Sequence, residues 1–72
     1  MQRPIKLLDV VALLTSLPER ALVQGQVGTV VEQLADDVFE IEFCDDEGKT
    51  YAECALKADQ LMVLYYHPLK VA

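Results

Sequence analysis

Val38-Phe39-Glu40-Ile41-Glu42-Phe43-Cys44 decides how the chain is read. Large apolar side chains alternate with glutamates at a period of two, the pattern of a strand with one face buried and the other in water. Asp45-Asp46-Glu47-Gly48 follows as a tight turn, with Gly48 free to take a positive φ. The alternation resumes from Lys49 to Leu56 and makes a hairpin. Upstream, Val27 to Leu34 is rich in β-branched residues and ends at a second turn, Ala35-Asp36-Asp37. Three strands therefore form a meander.

Outside the meander the signals are shorter. Gln60 to Tyr66 reads as a further strand, and Lys57-Ala58-Asp59 before it has room for a single helical or 3₁₀ turn. The run Ile5 to Leu14 is ambiguous. The spacing of Leu7, Leu8, Val11 and Leu14 fits a helical stripe, whereas Val10-Val11 and the short length favour a strand, which we prefer. Leu17-Pro18-Glu19 to Gly25 then makes a long excursion. The expected fold is all-β: a small SH3-like barrel of about five strands, with a long loop after the first strand and a short 3₁₀ turn before the last. Closing it pairs the first strand with the last, which spares a short chain its open edges. No repeat, linker or low-complexity tract divides residues 1–72, so a single domain is expected.

Composition removes several classes of function. Six Lys and Arg against twelve Asp and Glu give a net charge of −6, the wrong sign for displacing counterions from DNA or RNA. A hydrophobic fraction of 53% with three Gly and three Pro excludes a disordered chain. No apolar run approaches the ~20 residues that span a bilayer. Met1 to Asp9 lacks the apolar core and cleavage site of a signal peptide. The expectation is an acidic cytoplasmic protein that binds neither nucleic acid nor membrane.

Leu8-Asp9-Val10-Val11-Ala12-Leu13, Leu17-Pro18-Glu19, Gly25-Gln26-Val27-Gly28-Thr29-Val30-Val31-Glu32 and Ala58-Asp59-Gln60-Leu61-Met62-Val63-Leu64 together resemble a family of small bacterial proteins, domain of unknown function 4926. The resemblance runs from about Ile5 to Tyr65 and implies an SH3-like barrel in a bacterial cytoplasm. It implies no activity, cofactor or catalytic residue, and suggests at most an antitoxin-like or regulatory partner of another small protein. Ala21 stands where the resemblance calls for a glycine.

Nothing in the sequence assembles a catalytic set. A turn at Asp45 to Gly48 sets Cys44 opposite Lys49 and Phe39 opposite Cys54, and a one-residue slip would turn glutamates inward. Cys44 then points out and Cys54 in, too far apart for a disulfide, so two free thiols are expected in a reducing compartment. His67 precedes Pro68 without a positioned partner, and Ser16 lacks a nucleophile-elbow context. Gly25-Gln26-Val27-Gly28 precedes a strand and is no phosphate loop; Gly28 reads as a point of close backbone approach or a bulge. No metal-ligand spacing is present, and no cofactor is expected.

Two surfaces remain. Pairing the Val27–Leu34 strand to its neighbour with Val31 opposite Ile41 sets Glu32 opposite Glu40, and the hairpin register sets Glu40 opposite Glu53, an acidic face that could recognise a basic protein surface. These glutamates lie on a flat sheet and form no convergent oxygen cage for a metal. On the first and last strands, Val10, Leu14, Met62, Leu64 and Tyr66 point outward as an apolar patch, which marks an interface unless residues 5–8 cover it. The expected function is that of a non-catalytic protein-interaction module, a homodimer with a further protein partner. The alternative is an accessory subunit or small enzyme component with an acidic surface site.

Overall fold

The computed structural model describes residues 4–65. The meander is present with nearly the expected boundaries: β2 spans Val27–Ala35, β3 Val38–Cys44 and β4 Thr50–Lys57. β2 and β3 meet at a turn through Asp36 and Asp37, with Ala35 opposite Val38. Phe39, Ile41 and Phe43 are buried while Glu40 and Glu42 face out, so the alternation of β3 is also its burial pattern. Beyond Cys44 the Asp45 carboxylate accepts the N–H groups of Glu47 and Lys49, and Gly48 takes a φ of 81°. The side chain thus holds the turn, and the glycine removes the steric cost of the left-handed residue.

The ambiguous N-terminal run becomes a strand only over β1, Val10–Leu13. Before it, the Lys6 N–H donates to the Asp9 carboxylate at 2.8 Å and the Asp9 N–H to the Lys6 carbonyl at 3.0 Å. The last strand, β5, is likewise shorter than expected, Leu61–Val63, and follows a 3₁₀ turn at Ala58–Gln60. β1 pairs with both β2 and β5, all antiparallel, in the order β4-β3-β2-β1-β5. The first and last strands therefore adjoin as expected. The sheet stays unclosed, with β4 and β5 at its two edges.

One core cluster draws on every strand: Val11, Leu13, Val30, Phe39, Ile41, Phe43, Cys54, Leu56, Leu61 and Val63. Leu17 and Leu22 of the excursion join it, and Ile5 packs against it from the N-terminal side. Between those leucines lies a 3₁₀ turn, Pro18–Arg20, closed by Ala21 at φ 57° and ψ 35°. That left-handed conformation costs an alanine ~1–2 kcal/mol that a glycine avoids. Ala21→Gly should raise stability by about 0.5–1 kcal/mol once the added freedom of the unfolded chain is subtracted. Thermal denaturation would show a Tm higher by a few degrees.

The β3–β4 register differs from the expected one by two residues over most of its length. The observed partners are Cys44 with Thr50, Phe43 with Ala52, Ile41 with Cys54 and Phe39 with Leu56, and the register shifts between Phe43 and Cys44. The loop runs through Lys49, one residue beyond the expected turn, and Tyr51 is the extra residue of a bulge. A two-residue displacement keeps every side chain on its face and changes only its partner. A second irregularity lies in β2, where Val30, not Val31, stands opposite Ile41, and the register shifts before Glu32.

Candidate interaction surfaces

The acidic face is rearranged by that register. Glu32 does stand opposite Glu40, but Glu40 faces Ala55, and Glu53 faces Glu42. The expected row Glu32–Glu40–Glu53 is therefore replaced by two like-charged pairs displaced along the strands. The Thr50 hydroxyl donates to the Glu42 carboxylate at 2.8 Å, and the Cys44 thiol lies 3.6 Å from the same hydroxyl. Among the described residues, no three His, Cys, Asp or Glu side chains are grouped to hold a metal ion.

Both cysteines are free, Cys44 exposed and Cys54 buried. Burial pushes the Cys54 thiol up, with the Arg20 charge opposing and the Glu40 carboxylate adding to the shift. A buried, protonated thiol is a small hydrophobe and a poor nucleophile. The Ser16 hydroxyl accepts the Gln24 N–H at 2.8 Å and braces the excursion. His67 lies outside the described residues.

The apolar face is smaller at its centre, and broader, than the sequence suggests. Val11 faces Val63, Ala12 faces Met62 and Leu13 faces Leu61, and the Leu64 N–H donates to the Val10 carbonyl. Val10, Ala12, Leu14, Met62 and Leu64 consequently share the outer side. Leu14 and Met62 are well exposed there, whereas Val10 and Leu64 are half-buried and Ala12 is buried. Tyr66 lies outside the described residues. Val27, opposite Ala12 on β2, adds a further exposed side chain. Alternation from the inward Gly28 and Val30 could have placed it.

Residues 5–8 are not folded down over this face. Ile5 turns to the core, while Leu7 and Leu8 are 59% and 70% exposed. Leu8 holds a φ of 70° and donates its N–H to the Val30 carbonyl at 2.7 Å. A leucine in that conformation is strained, and its side chain is presented to solvent. Tyr65, just beyond β5, is also exposed. Leu7, Leu8, Leu14, Val27, Met62 and Tyr65 thus make up most of the large exposed hydrophobics, all on β1, β2, β5 or their immediate extensions.

No helix among the described residues is long and apolar enough to cross a membrane. A family model described as Domain of unknown function (DUF4926) matches residues 7–63. No curated protein and no solved structure matches the chain.

Proposed function

The chain belongs to the domain of unknown function 4926 family, and we propose that it is a non-catalytic protein-interaction module that docks a partner protein on the outer side of β1, β2 and β5. The concentration of exposed apolar side chains there carries the reading. Leu14, Val27 and Met62 share an uncharged sheet face, and Leu7, Leu8 and Tyr65 are exposed just beyond the ends of β1 and β5. Exposed apolar side chains gathered on one side of a small acidic protein favour an interface over bare exposure to water. The reading includes a homodimer, and a cytoplasmic setting suits its two free thiols.

Met62→Glu tests it by placing a charge at the middle of the face, on a side chain that is 43% exposed. Its Tm should stay within a few degrees of wild type. Partners captured by the tagged wild type and identified by mass spectrometry should be lost, or weakened at least about tenfold. Full retention of those partners by the folded variant would exclude the face as the docking surface.

A further inference from the structure

β4 is an edge strand with its backbone on offer. Its only ladder among the described residues is the one with β3, and no other backbone–backbone hydrogen bond from those residues reaches positions 51–57. The Lys57 N–H donates to the Gln60 side-chain oxygen at 2.8 Å, so the edge on offer is centred on Glu53 and Ala55. Proteins rarely leave such an edge open without bending, charging or covering it. The bulge at Tyr51 bends its first turn of chain, but Ala52 to Lys57 runs on regularly against β3. Along that stretch Glu53, Ala55 and Lys57 are exposed and Cys54 and Leu56 are buried.

We propose that this edge is where two copies of the chain meet. β4 of each extends the sheet of the other, antiparallel and centred on Ala55, so that Glu53 of each copy stands opposite Lys57 of the other. The choice of register follows from charge. A contact centred on Glu53 opposes two carboxylates, and one centred on Leu56 sets Glu53 against Asp59. One centred on Cys54 sets Glu53 against Ala55 and runs Lys57 into the bulge at Tyr51. Centring on Ala55 pairs opposite charges, and the twofold axis makes the pair twice. Exposed residues then meet exposed residues and the buried row continues into the buried row, as a shared sheet requires.

The same contact answers a repulsion inside each chain. Glu53 already faces Glu42 across the β3–β4 ladder, and Lys57 of the second copy brings a cation to its open side. The apolar face offers two chains of net charge −6 no such compensation. Its role in the reading above, the docking of a different protein, is left intact. The inference rests on that reading only for the existence of a dimer.

Charge exchange is the test, read by sedimentation velocity over a concentration series at low salt. Wild type should dimerise. Glu53→Lys brings the net charge from −6 to −4 and should nonetheless weaken the dimer at least about tenfold, because lysines then oppose lysines. Lys57→Glu should weaken it similarly. An equimolar mixture of the two variants should restore dimers, since every facing pair is again of opposite charge, and so should the chain carrying both exchanges. Glu53→Lys also relieves the Glu42 repulsion, so an unchanged or raised Tm separates loss of contact from loss of fold. Dimers that survive both exchanges but are lost in Met62→Glu would place the self-contact on the apolar face and overturn the inference while keeping the docking reading. A wild type that is monomeric at high micromolar concentration would overturn the inference and the homodimer together.

Discussion

Gly28→Ala should destabilise the protein by about 1–3 kcal/mol, a fall in Tm on the order of 5–20 °C. Gly28 is buried in β2 opposite Val11, and its φ lies outside the left-handed region, so backbone freedom does not explain it. Space does. A Cβ there would come within 2.7 Å of Ile41 Cγ2, 2.9 Å of the Glu42 carbonyl oxygen and 3.0 Å of Phe43 Cδ2. Two of these atoms belong to fully buried side chains and the third to the backbone of β3. None can move alone without disturbing the ladder or the core. The sign makes the experiment decisive, since alanine for glycine within a strand ordinarily adds ~0.5–1 kcal/mol of stability. A thermal or urea transition that is unchanged or raised would show that β2 and β3 do not approach as closely as the structure has them.

Gly28 also shows how far the sequence could be read. A glycine inside a β-branched run signals close approach before any coordinates are known, and the approach is there. The meander was legible for a similar reason: alternation in Val38–Cys44 fixes which face is buried. It cannot fix which residue lies opposite, because a displacement by two leaves every face unchanged. The bulge at Tyr51 and the longer loop supply such a displacement, and the glutamate row moved with it. Hairpin partners depend on where the loop places its hydrogen bonds, here on the Asp45 carboxylate, and periodicity carries no trace of that.

The apolar face shows the complementary limit. Parity placed Val10, Leu14, Met62 and Leu64 on the outer side, and the structure agrees. Exposure depends on neighbours as well as on side. Val10 and Leu64 are half-buried on that side, while Leu7 and Leu8 are exposed in a turn held by Asp9. Helical spacing in that run was an accident of a turn joined to a short strand. Ala21 is a further case, since its left-handed φ gives a physical reason for the glycine that the family resemblance calls for.

Leu22→Ala should cost about 2–5 kcal/mol, a large share of the ~4–11 kcal/mol expected for a domain of this length. Nothing in the sequence marks Leu22 as core: it lies in the excursion with no periodicity to assign it a face. The structure buries it to 1% exposure and ties it to Leu17 by a pair of backbone bonds, Leu17 N–H to the Leu22 carbonyl at 2.8 Å and Leu22 N–H to the Leu17 carbonyl at 3.2 Å. The turn between them, closed by Ala21, makes the two leucines a unit that enters the core together. An unclosed sheet this small has few other side chains with which to complete its core, so a cavity at Leu22 has little to collapse into it. Val23, the next residue, is 58% exposed, and Val23→Ala should shift stability by no more than about 0.5 kcal/mol. Comparing the two variants by urea denaturation separates burial from position in the loop. Equal effects would mean that the excursion lies on the surface. The expected disparity means that it is part of the core, and that the surfaces left for partners are the outer sheet and its β4 edge.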